Sequence, residues 1–114
     1  MTLTLWHNPR CAKSRKALDL LLARGLCPAI RLYLEDPPSP AELQDVLHKL
    51  GKHAIALART GDEAFRALDL PADADDARIL RALAANPRLI ERPLLMHGAR
   101  AAIGRPPEAI LSIL

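Results

Sequence analysis

LTLWHNPRCAKSRKALDLLL, residues 3–22, is the stretch whose reading decides the fold. Leu3 and Leu5 alternate with Thr4, which predicts a short first strand. Asn8-Pro9 marks a turn, and Pro9 biases the residue before it away from helical backbone. From Ala12 the spacing becomes helical, with Leu18, Leu21 and Leu22 on one face and Gly25 as the stop. Cys11 therefore falls where a strand hands over to a helix. Residues 29–34, AIRLYL, end ahead of Pro37-Pro38 and predict a second strand. Strand, helix, strand at this spacing is the signature of a right-handed parallel crossover.

Outward from there, Ser39-Pro40-Ala41-Glu42 carries the residues of a capping box, with proline in the first helical turn. Leu43, Val46, Leu47 and Leu50 follow at helical spacing, and Gly51 ends the run. Residues 55–60, 63–68 and 75–85 predict further helices, closed by Asn86-Pro87. Residues 94–96 and 100–103, joined through His97-Gly98, predict a hairpin, and Pro106-Pro107-Glu108 opens a last helix with Ile110, Leu111 and Leu114 apolar. The class is α/β, with a mixed four-stranded sheet and a helical insertion between the second and third strands. This element order resembles a thioredoxin-like fold. No linker or repeat interrupts it, so a single domain over residues 1–114 is expected.

Half of the residues are apolar but only 3% are aromatic, so the core must be mostly Leu, Ile and Ala. That scarcity of rings leaves no base-stacking platform, and the basic residues are dispersed, so nucleic acid is not expected as a partner. A net charge of +3 suits an anionic substrate. No apolar run approaches a membrane span and the start does not read as a signal peptide, so a cytoplasmic protein without a membrane partner is expected. Two cysteines cannot make a disulfide framework.

The unpaired N–H groups and positive end of a helix favour thiolate over thiol, as do nearby cations. His7, Arg10, Lys13 and Arg15 all lie within four residues of Cys11. Cys11 reads either as a nucleophile with a depressed pKa beside an anion-binding loop or as a half-buried structural thiol. CAKS, residues 11–14, is not a Cys-x-x-Cys pair, so an intermediate on Cys11 needs an outside thiol or Cys27 to resolve it. Ser14 is placed to hydrogen-bond the sulfur or a bound anion, and His7 to orient the loop. Cys27 reads as structural, His48 and His53 as solvent-facing or capping, and His97 as a surface residue of the hairpin turn. No Cys and His spacing suggests a metal. Arg24, Arg66, Arg78 and Arg81 read as solvated charges.

WHNPRC at 6–11 with Ser14-Arg15, YLEDPPSPAEL at 33–43, ALART at 56–60, ERPLL at 91–95 and GRPPEAIL at 104–111 together resemble the glutaredoxin-dependent arsenate reductase family, in a short branch with the HNPRC motif. The resemblance covers essentially the whole chain. It implies a thioredoxin-like fold and Cys11 as the catalytic nucleophile on arsenate or a similar oxyanion. It implies oxyanion-binding roles for Arg59, Arg92 and Arg105, and support of the thiol loop by His7, Asn8, Ser14 and Arg15. Pro93 matches the family's cis-proline position. No bound cofactor is implied; glutathione is the co-substrate and glutaredoxin the partner. Two alternatives stand beside this reading: a monothiol oxidoreductase acting on glutathione mixed disulfides, and a non-enzymatic redox-responsive binding protein of the same fold.

Overall fold

β1, Leu3–Trp6, lies inside the sheet because it pairs on both sides. It runs parallel to β2 (Ala29–Arg31) and antiparallel to β3 (Leu94–His97), which pairs antiparallel with β4 (Arg100–Ile103). The computed structural model describes residues 2–114. The strand order β2-β1-β3-β4, with α1 (Ala12–Ala23) joining β1 to β2, makes the fold thioredoxin-like with a mixed four-stranded sheet. The chain divides into two compact units: the segment up to Asp36 together with Arg92–Leu114, and the helical insertion Pro37–Glu91. No helix among the described residues is long and apolar enough to cross a membrane.

In the sheet unit, Leu5, Leu95 and Ala102 stand opposite one another across three strands and share a face. Ala17 and Leu21 of α1 and Ile110 and Ile113 near the C-terminus close over them. Full burial of each such Leu or Ile stabilises by about 1.5–3 kcal/mol. The buried positions of α1 are Ser14, Ala17 and Leu21, whereas Leu22 is 49% exposed. The expected apolar face was thus placed too far round the helix, because a polar residue, Ser14, occupies the inward row. After α1, Leu26 N–H bonds Leu21 O and Gly25 N–H bonds Leu22 O, with Gly25 at φ +75°. That is a Schellman stop, and it needs the left-handed glycine predicted there.

β2 is shorter than the expected 29–34. After Arg31 the N–H groups of Glu35 and Asp36 both bond Leu32 O at 2.9 Å, and Arg31 Nε lies 3.4 Å from Asp36 Oδ2. The apolar residue that made the segment look like strand is used differently. Tyr33, 1% exposed, stacks on Trp6 with ring centroids 6.5 Å apart, and the Arg31 guanidinium lies 5.0 Å over the Trp6 ring. The hairpin turn also differs: His97 pairs with Arg100, so Gly98 and Ala99 form the turn, with Gly98 at φ +62°. His97 is half-buried, its Nδ1 2.6 Å from Ile113 O, and is not the surface residue expected. The last helix is a 3-10 segment, Pro107–Ile113. Three residues per turn bring Ile110 and Ile113 onto one row, which leaves Leu114 exposed.

In the insertion, α2 (Pro40–Leu50) carries the predicted capping box. Ser39 Oγ accepts Glu42 N–H and Glu42 Oε1 accepts Ser39 N–H, each at 3.1 Å, and Gly51 closes the helix at φ +66°. α3 (Glu63–Arg66) is a single turn capped by Asp62, shorter than the expected 63–68. α4 (Asp76–Ala85) starts one residue late because Asp75 is its cap, and it packs on α2. The helix expected over 55–60 reduces to a 3-10 turn, Ala54–Leu57. Beyond it the backbone pairs instead of coiling: Ala58 bridges Ile90, Arg59 N–H bonds Leu89 O, and Glu91 N–H bonds Leu57 O.

Candidate active site at the start of helix α1

Register decides which residues meet. Trp6 at the end of β1 stands opposite Leu94 at the start of β3, and Leu94 stands opposite Ile103 at the end of β4. One end of the sheet therefore gathers the loop 7–11, Arg92 and Arg105. Gly104 N–H bonds Pro93 O at 2.8 Å. A Cβ at Gly104 would lie 2.5 Å from Pro93 Cγ, so only glycine lets these two chains approach so closely. The Arg92-Pro93 and Arg105-Pro106 peptides are both cis.

The loop is held from inside. Ser14 is fully buried; its Oγ accepts Asn8 N–H at 3.0 Å and lies 2.6 Å from His7 Nδ1. Burial and then the charge of Arg15 lower the His7 pKa, so the ring is neutral near pH 7. Assigning the protons from this network, the Ser14 hydroxyl donates to Nδ1, and His7 carries its own proton on Nε2. Asn8 Oδ1 accepts Arg10 N–H at 3.0 Å, and Asn8 O accepts Cys11 N–H at 3.0 Å. Arg15 reaches back from α1 to donate to Pro9 O at 2.8 Å. His7, Asn8, Ser14 and Arg15 thus set the shape of the loop, and none of them needs to touch the sulfur to do so.

Cys11 occupies the N-cap position of α1 and is partly exposed. No side chain caps this helix through a well-formed hydrogen bond, and its first turn holds no acid. Burial alone would raise the thiol pKa. It is outweighed by the pull of the Ser14 N–H, the Arg92 guanidinium and the Lys13 N–H on the thiolate, and by the charge of Arg92, so the pKa is lowered. A thiolate held by helix-start N–H groups and a guanidinium is a nucleophile with anion-binding groups beside it.

The residues singled out in the sequence are thus only partly gathered. Cys11, His7, Asn8, Ser14, Arg15 and Arg92 form one cluster. Arg105 is at the same end of the sheet, half-buried. Arg59 belongs to the insertion, where its Nε lies 3.9 Å from Glu91 Oε1. Cys27 is exposed beyond the far end of α1. A twelve-residue helix separates it from Cys11, about 18 Å of rise against the ~7 Å reach of a disulfide, so Cys27 does not resolve an intermediate on Cys11 in this conformation. His48 and His53 are exposed, with His53 Nδ1 3.2 Å from Asp76 Oδ2; Arg24, Arg66, Arg78 and Arg81 are exposed too. Among the described residues no three His, Cys, Asp or Glu side chains gather as metal ligands.

Sequence reasoning missed the second wall of the site. Leu32, Leu34 and Glu35 face the loop 7–10 across a cavity. The only signal was indirect: β1 and β2 are parallel, so the segments leaving their C-terminal ends must emerge side by side.

The ArsC family model matches residues 6–113. The arsenate reductase of Haemophilus influenzae is 42% identical over 116 residues, covering all of both chains. That of Neisseria meningitidis serogroup A is 42% identical over 112 residues, covering 96% of each. Among solved structures, the arsenate reductase from Vibrio cholerae superposes with a TM-score of 0.96 at 39% identity, covering 100% of this chain and 98% of that one.

Proposed function

The chain belongs to the ArsC family, and on that premise we propose that it reduces arsenate to arsenite through the Cys11 thiolate, with glutathione as co-substrate and glutaredoxin as partner. One observation carries this reading: Cys11 stands at the N-cap of α1, where the Ser14 and Lys13 N–H groups and the Arg92 guanidinium lower its thiol pKa. Relatives at 42% identity that are arsenate reductases supply the substrate.

Cys11 Sγ attacks arsenic, an As–S bond forms, and an arsenate oxygen leaves as water after protonation; arsenic remains As(V). Glutathione replaces a second oxygen, again releasing water. The glutaredoxin thiolate then attacks the glutathione sulfur. The As–S pair of electrons stays on arsenic, which becomes As(III), and a glutathione–glutaredoxin disulfide leaves. Water cleaves the remaining As–S bond, freeing arsenite and Cys11. Arg92 holds the oxyanion and the thiolate together and Arg105 adds to its charge compensation; a role for Arg59 rests on the family resemblance alone. Guanidinium forks match the oxygens of a tetrahedral anion. Dependence on glutathione places this work in a reducing compartment such as the cytoplasm.

Arsenate-dependent NADPH oxidation, coupled through glutaredoxin and its glutathione-recycling enzyme, tests the proposal. Turnover is expected, and Cys11→Ser should reduce it by about 10³-fold or more. Intact protein that turns over a glutathionylated thiol and leaves arsenate untouched would assign the site to mixed disulfides instead.

A further inference from the structure

Beside the loop lies a cavity of about 290 Å³, lined by His7, Asn8, Pro9 and Arg10 on one side and by Leu32, Leu34 and Glu35 on the other. Both walls are braced. His7 N–H bonds Arg31 O at 2.9 Å and ties one to the other, and the turn 32–36 is closed by its own hydrogen bonds and by Arg31 on Asp36. His7 and Asn8 are 6% and 8% exposed. His7 Nδ1 is taken by Ser14 and Asn8 Oδ1 by Arg10. Among the described residues nothing accepts a hydrogen bond from His7 Nε2 or Asn8 Nδ2. Both donors keep contact with solvent although their residues are more than nine-tenths buried, and the cavity that these residues line is where an acceptor can reach them.

The chemistry of the walls defines the guest. Two neutral donors and the Arg10 guanidinium suit a carboxylate. Glu35, across the cavity, suits an ammonium and repels a simple oxyanion. Pro9, Leu32 and Leu34 offer apolar surface for a methylene stem. The volume is at the small end of ligand clefts, about 300–1,000 Å³, enough for part of a short peptide. Cys11 does not line the cavity, but it follows Arg10 in the chain and its N–H bonds Asn8 O at 3.0 Å, so the cavity borders the loop that ends at the sulfur. We propose that this cavity binds the body of the thiol co-substrate, a short zwitterionic peptide thiol, and aims its sulfur at the adduct on Cys11. The assignment rests on the reading above, in which an outside thiol resolves that adduct. Leu34 and Glu35 are specificity residues on this view, and neither belongs to the thiolate machinery.

The probe is S-methylglutathione, which has the peptide and no reactive thiol, titrated into the intact protein and followed by backbone amide shifts. Saturable shifts are expected at the amides of His7, Asn8 and Arg10 and of residues 32–35. Glu35→Lys should weaken binding about tenfold and leave the affinity for inorganic phosphate unchanged or tighter. Leu34→Glu, at a 41% exposed position, should weaken the same binding without unfolding the chain. In the coupled assay the same Glu35→Lys should raise KM for glutathione about tenfold with little change in kcat. Absence of saturable binding, shifts confined to other residues, or Glu35→Lys binding as wild type would each overturn the assignment. Binding at these residues in a protein without arsenate turnover would instead uphold the cavity and defeat the arsenate reading.

Discussion

At the start of α2, Ser39 and Glu42 exchange hydrogen bonds across the first turn; at the start of α1 stands Cys11, with no well-formed side-chain cap and no acid behind it. α4 follows the pattern of α2, with Asp75 as its cap and Asp76 in its first turn. Both of those helices use their N-terminal N–H groups and dipole for stability, at about 0.5–2 kcal/mol for a cap. α1 leaves the same groups to a sulfur. The first turn that follows is basic, with Lys13 and Arg15, where stability alone would favour an acid. The difference shows what α1 gives up: a cap is a fixed partner for the helix start, and Cys11 holds that place with an atom that can also react.

Substitutions can break the contrast from either side. Removing the external cation should have the largest effect. Arg92→Ala takes away both its hydrogen bond and its charge from Cys11, and kcat with arsenate should fall about 10²-fold. Giving α1 the acid that α2 has comes next. Lys13→Glu should slow Cys11 alkylation at neutral pH about tenfold through a raised pKa, and should stabilise the fold by about 0.3–1 kcal/mol. Opposite movement of reactivity and thermal stability in one variant is the signature to look for. Taking the cap from α2 should have the smallest effect on function: Ser39→Ala should cost about 1 kcal/mol in denaturant unfolding and leave alkylation of Cys11 unchanged.

Where neighbouring residues decide the outcome, the sequence could be read. The alternation of Leu3 and Leu5, the capping box at Ser39 and Gly25 and Gly51 as helix stops all follow from short-range rules, and the order of the elements along the chain pointed to the mixed sheet. Where a distant partner decides, those rules failed. Tyr33 left the expected strand to stack on Trp6, Ala58 left the expected helix to pair with Ile90, and His97 turned inward to the Ile113 carbonyl. The site divides the same way. Cys11 at a helix start was visible from its neighbours, whereas the link to Arg92 depends on strand register and came to the sequence reading only through family resemblance. From its neighbours Ser14 read as a partner of the sulfur or of a bound anion, and the resemblance assigned it to support of the thiol loop. Its hydroxyl serves His7 and Asn8, and its backbone N–H serves the sulfur instead.

The lowered pKa of Cys11 also links reactivity to folding. A group whose pKa is lower in the folded than in the unfolded chain stabilises the fold fully above the unfolded value and loses that contribution as pH falls through the folded one. As pH falls, this share of stability should therefore be lost between the unfolded and the folded pKa, and thiolate reactivity should fall off around the folded one. The most direct test is the rate of Cys11 alkylation against pH, measured on a Cys27→Ser protein so that one thiol reports. The midpoint should lie below the about 8.5 of an ordinary thiol and move up toward it in Arg92→Ala. A midpoint at or above 8.5, unmoved by Arg92→Ala, would contradict a thiolate held by the helix start and its guanidinium.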